Sequence, residues 1–125
     1  MASLAILSSE PVVAEAPDTA IDRSHLARMT FGDRDLEREV LSLFDRQAAM
    51  LIERMRGSEP AAIATLAHTL KGSAAGIGAA RVARSADAAE IAASRSAGEC
   101  GLAIGRLALA VDEARALIAE LLREG

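Results

Sequence analysis

The sequence predicts an all-α protein, an antiparallel four-helix bundle with a short extra N-terminal helix. Three observations point there. Ala, Leu and Arg dominate a chain that is 51% hydrophobic but only 2% aromatic, with no Trp or Tyr; such a composition favours helix over sheet. Apolar residues recur at steps of three and four through the long segments, which is the period of a helix with one buried side. Short breaks containing Gly or Pro separate these segments, so consecutive helices run antiparallel. At 125 residues the chain fits one domain with a modest core.

Residues 1–18 read as a flexible N-terminal tail, and residues 19–125 as the folded bundle. The tail has a short apolar patch without a basic flank, which makes a poor signal peptide. Ile21 to Met29 forms the short first helix, with Ile21, Leu26 and Met29 as apolar contacts. Phe31-Gly32-Asp33 interrupts it. Gly32 suits a helix stop and Asp33 the N-cap of the next helix; Phe31 and Phe44 read as core. From Arg34 to Arg56 the apolar stripe is Leu36, Val40, Leu43, Phe44, Ala48, Leu51, Ile52 and Met55. Gly57-Ser58-Glu59 is the second break, and Pro60 sits well in a first helical turn. The next helix runs to Gly76 or Gly78, its stripe formed by Ile63, Leu66, Ala67, Leu70, Ala74 and Ile77. A further helix spans about Ala79 to Ser96, with Val82, Ala83, Ala86, Ala89 and Ala93 inward. Gly98 and Gly101 mark the last connection. The final helix, about Leu102 to Arg123, turns Leu107, Val111, Ala114, Ile118 and Leu121 inward.

Several function classes are disfavoured. The net charge is −4 and no run of Lys and Arg occurs, so no nucleic-acid partner is expected. Leu102 to Val111 is interrupted by Arg106 and is too short to span a bilayer. Cys100 is the single cysteine, which excludes an intrachain disulfide and suits a reducing cytoplasm. His25 and His68 lie far apart without acidic or Cys companions at ligand spacing, so no metal site is expected.

The informative segment is Ala67-His68-Thr69-Leu70-Lys71-Gly72-Ser73-Ala74. On a helical wheel, His68 lies roughly 140° from the core residue Ile63, on the solvent side. Ala64, Thr65, Lys71, Gly72 and Ala75 surround it there, leaving a shallow clearing. Gly72 costs a helix about 1 kcal/mol relative to Ala. In a chain that uses Ala freely, its role is access. Helical Cβ atoms tilt toward the N-terminus, so a side chain at 72 would lean over the His68 ring. The same tilt points Lys71, the only lysine, back toward that ring. Two charges about 4 Å apart in water gain only about 1 kcal/mol, so Lys71 would tune a phosphoryl group placed on His68 rather than create the site. A neutral imidazole nitrogen is a nucleophile that forms a labile N–P bond. Phosphoryl transfer also needs a charge clamp, and no acidic cluster near His68 is visible in the sequence.

His68-Thr69-Leu70-Lys71-Gly72-Ser73-Ala74-Ala75 resembles the signature of histidine phosphotransfer domains, and the resemblance extends over roughly residues 20 to 122. Phe31-Gly32-Asp33 with the following Leu43-Phe44 helix resembles the helix that precedes the signature. Gly78-Ala79 resembles the turn after it. The family often carries Asn at the position of Gly76. The resemblance implies a four-helix bundle whose histidine, here His68, exchanges phosphate with receiver aspartates, supported by Lys71 for charge and Gly72 for access. It implies response-regulator receiver domains and a hybrid histidine kinase as partners, docking over Ala64, Thr65, Ala75 and Gly76. It implies no cofactor of its own, with Mg²⁺ expected from the partner receiver. The chain is then a cytoplasmic monomeric carrier, not an enzyme. A sensor-kinase dimerisation helix is the competing reading. Such helices usually resemble His followed by Glu or Asp with Pro nearby, whereas Thr69 follows His68 and no glycine-rich nucleotide segment is present.

Overall fold

A computed structural model of the protein describes residues 20–124; the tail expected over residues 1–18 lies outside them. Five helices follow one another: α1 (Arg23–Met29), α2 (Arg34–Met55), α3 (Pro60–Gly76), α4 (Ala80–Ala92) and α5 (Ala97–Glu124). The four long helices close a ring, with α2 on α3, α3 on α4, α4 on α5 and α5 on α2. The links between them are only a few residues long, which makes each pair of neighbours antiparallel. This is the expected bundle, and the α3–α4 pairing is its most extensive.

Alanine explains that closeness. Ala67 and Ala74 of α3 and Ala86 and Ala89 of α4 are fully buried, and without long side chains between them the two helices approach. Met55, Leu70, Val82, Leu107 and Ile118 fill the remaining interior.

The short helix α1 is a lid on one end of the core. Asp22 caps it by accepting from the His25 amide. Ile21 and Leu26 are buried, whereas Met29, expected to make an apolar contact, is exposed. The lid is fastened to the end of α3. The Asp22 amide donates to the Gly78 carbonyl at 2.9 Å, and His25 Nε2 donates to the Gly76 carbonyl at 3.1 Å. Gly78 has φ +81°, and a Cβ there would lie 3.0 Å from the Asp22 carbonyl oxygen. Both the backbone conformation and the close approach require glycine.

Three expectations about the hydrophobic pattern are corrected. Phe31 is 90% exposed, because the chain turns at φ +55° there and +75° at Gly32, which swings the ring outward. Along α2, Leu36 and Leu43 face solvent, and Leu41 takes the core position beside Phe44. Finally, α4 stops at Ala92 and α5 begins at Ala97, so Gly98 and Gly101 lie inside a helix rather than in the last connection. Ser96 sets that start: its Oγ accepts from the Glu99 amide at 3.1 Å. Ser96-Ala97-Gly98-Glu99 has the spacing of a capping box. Burial of Cys100 and Ala103 then holds the extra turns in place.

Candidate functional site

His68 stands near the middle of α3, on the side away from Leu70 and Ala74. Its side chain is 66% exposed, and its Nδ1 lies 3.2 Å from Glu90 Oε2 and 3.3 Å from Oε1. A carboxylate only accepts, so Nδ1 carries the proton and donates. That fixes the tautomer. In the neutral ring Nε2 then holds the lone pair, and it has no hydrogen-bond partner among the described residues.

Glu90 comes from α4, where it sits three residues after Asp87 on the side facing α3. Lys71 reaches both, at 3.1 Å from Asp87 Oδ1 and 3.1 Å from Glu90 Oε1. Lys71 is therefore held across the α3–α4 seam by two carboxylates rather than extended freely over the imidazole. Glu90 joins the two basic groups. The Lys71 hydrogen bond, followed by that from His68, holds the Glu90 carboxyl below its ordinary 4.5 despite the opposing effect of desolvation. Asp87, followed by Glu90, raises the Lys71 ammonium above its ordinary 10.5. The sign follows for each partner. The tie between α3 and α4 is fully present between those ordinary values. It is lost as pH falls through the lowered Glu90 value or rises through the raised Lys71 value.

The sequence showed no acids beside His68; helix pairing supplies two. They do not fit a divalent cation, because Asp87 and Glu90 share the Lys71 ammonium. Among the described residues no group of three His, Cys, Asp or Glu side chains could hold a metal.

The other residues singled out from the sequence divide into two groups. Ala64 and Thr65 line a hollow of about 230 Å³ together with His68, Thr69 and Glu90. Gly72 is exposed, and a Cβ built on it would meet nothing within 4 Å, so no neighbouring helix needs a glycine there. Ala75 is exposed further along α3 and takes no part in the hollow, while the Gly76 carbonyl is committed to His25. His25, read as a surface or partly packed residue, is partly packed.

Asp87 and Glu90, which meet Lys71 and His68 across the seam, are residues of the candidate site that sequence reasoning missed. The available signal was a pair of acids at i and i+3 on an otherwise Ala-rich helix. A second omission is an apolar strip on α2, where Leu43 and Met50 are 59% and 50% exposed and Leu36 36%. Asp45 pairs with Arg115 of α5 at 2.8 Å, which marks the flank of α2 that faces α5. The strip lies roughly 140–180° around the helix from Asp45, away from the flank that faces α5. Among the described residues no helix is long and apolar enough to cross a membrane.

The comparisons with known proteins agree with this arrangement. A solved structure of a histidine-containing phosphotransfer protein from rice superposes with a TM-score of 0.75 at 19% identity, covering 96% of this chain and 88% of that one; at that identity the likeness is one of fold. No curated protein matches the chain significantly. The family model of the Hpt domain matches residues 39–123, a span that contains the His68 segment, both acids of α4 and most of the bundle. The chain therefore belongs to the Hpt domain family, the histidine phosphotransfer proteins of phosphorelays.

Proposed function

We propose that this protein carries a phosphoryl group on Nε2 of His68 and exchanges it with the aspartate of response-regulator receiver domains. The observation that carries the reading is the exposed imidazole whose Nδ1–H is engaged by Glu90, leaving Nε2 as the nucleophile. In the forward step the P–O bond of the receiver's aspartyl phosphate breaks as the Nε2–P bond forms. The electron pair of the broken bond returns to the aspartate carboxylate. In the neutral ring Nε2 needs no deprotonation, because its lone pair is free. Positive charge develops on the ring and is met by Glu90 through Nδ1–H, the same orienting role that a carboxylate plays toward histidine in hydrolase triads. Lys71 keeps Glu90 ionised and in place.

Members of the family are carriers rather than kinases, and the reading extends this to the present chain, with no catalysis of its own. Mg²⁺, expected from the receiver, would supply the charge clamp that phosphoryl transfer requires. The receiver would cover the hollow around His68 and rest on the Leu36, Leu43 and Met50 strip, where burial of apolar side chains contributes roughly 25 cal/mol per Å². A hybrid histidine kinase upstream, a cytoplasmic location and action as a monomer complete the proposal.

The test is transfer from phosphorylated receivers of the source organism, followed by ³¹P NMR of the product. Acid-labile phosphate on Nε2 is expected; phosphate on Nδ1 instead would remove the tautomer argument. Glu90→Gln is expected to slow transfer about 10–100-fold, the usual effect of losing an orienting partner, with the fold retained by circular dichroism. An unchanged rate would take Glu90 out of the mechanism.

A further inference from the structure

At the end of the bundle away from α1, α2 and α4 finish while α3 and α5 begin, and between them lies a cavity of about 670 Å³. Small-molecule sites typically span roughly 300–1,000 Å³. Its floor is apolar, formed by Met55, Ile63, Ala93, Cys100 and Ile104, of which the first four are buried. Nothing in the phosphotransfer reading uses it.

Two features of α5 keep this space open. Gly101 and Gly105, one turn apart, line the cavity, and a Cβ on either would meet nothing within 4 Å. Each glycine within a helix costs about 1 kcal/mol relative to Ala, in a chain that uses Ala wherever helices pack. The open face is thus maintained against local helix preference.

The mouth is positively charged. Arg56 and Arg95 stand at it. Among the described residues Arg56 makes no ion pair, and Arg95 makes only one, at 3.8 Å to Glu99. Pro60 at the mouth opens α3, whose N-cap residue Glu59 makes no side-chain cap hydrogen bond. The amides of Ala61 and Ala62 therefore lack an intrahelical partner at this end. An apolar pocket with a cationic mouth is complementary to an amphipathic anion.

We propose that this cavity binds a small organic anion with an apolar tail, of the fatty-carboxylate class. The tail lies against Ile63, Cys100 and Ile104, and the carboxylate lies between Arg56 and Arg95. This inference is independent of the role given to His68.

The experiment titrates the full chain with octanoate, and separately with octan-1-ol, following backbone amide shifts by NMR. Saturable binding is expected, with shifts centred on Ile63, Cys100 and Ile104 and about tenfold tighter for octanoate than for the alcohol, the scale of one charge-assisted contact. Gly105→Leu fills the space and is expected to abolish binding of both ligands. Arg56→Gln with Arg95→Gln, on the exposed mouth, is expected to remove the preference for octanoate while leaving octan-1-ol binding unchanged. The proposal is overturned by the absence of saturable shifts, by shifts centred elsewhere, by equal affinity for acid and alcohol, or by full binding to a folded Gly105→Leu protein. If Gly105→Leu does not fold, the arginine double variant and the comparison of acid with alcohol decide the matter alone.

Discussion

Replacing His68 with Gln is expected to abolish phosphate uptake completely while leaving the bundle intact. The side chain is 66% exposed, and among the described residues its ring nitrogen hydrogen bonds are to Glu90 alone, so the interior loses nothing. Glu90 keeps Lys71 as its partner. A surface change of this kind is usually worth within about 0.5 kcal/mol, which shifts the thermal midpoint of a domain this size by no more than about 4 °C. Glutamine offers an amide of similar reach but no nucleophilic ring nitrogen. The measurement pairs thermal unfolding with transfer from a phosphorylated receiver. Acid-labile phosphate on the variant would show that another residue carries the group.

The second large effect is expected from Gly72→Leu, which should move stability and activity in opposite directions. The position is mid-helix and open, with nothing within 4 Å of a Cβ placed there. Helix preference alone then predicts a gain of roughly 0.5–1 kcal/mol, readable as a higher denaturant midpoint. The added side chain tilts toward the helix N-terminus and over the ring. In-line attack needs the reacting atoms about 3–3.5 Å apart, and a misplacement of about 1 Å can cost 100-fold. Transfer is therefore expected to fall at least about 100-fold in a protein more stable than its parent. A stabilised variant that transfers normally would end the access argument.

These two expectations rest on one contiguous stretch of α3, which is why that half of the site is legible in the sequence. A helical wheel places His68, Lys71 and Gly72 relative to the core without knowledge of any other helix. The other half is not legible, because Glu90 meets His68 only after α4 has folded back against α3. The pairing depends on the buried alanines of both helices, and periodicity within either does not report it.

The α2 strip escapes sequence reading for a related reason. Two apolar series interleave on that helix, Leu36-Leu43-Met50 and Leu41-Phe44-Ala48-Leu51-Met55. The first repeats every seven residues and the second in steps of three and four, both helical spacings, and nothing local says which one meets the core. At the start of α5, Gly98 and Gly101 mimic a break, and the Ser96–Glu99 capping box outweighs them. Phe31 shows the limit of hydrophobicity as a guide to burial, since the backbone turn at that residue aims its ring outward whatever the side chain prefers.

The fastening of α1 onto the end of α3 bears on where this protein can be cut. The family match starts at residue 39, which invites a shortened version beginning at α2. Such a version would strip Ile21 and Leu26 from the core and take away the donors now given to the carbonyls of Gly76 and Gly78. Fraying would then begin at the last turn of the helix that bears His68, about two turns from the imidazole. The minimal functional unit thus reaches upstream of the matched span, to about residue 20.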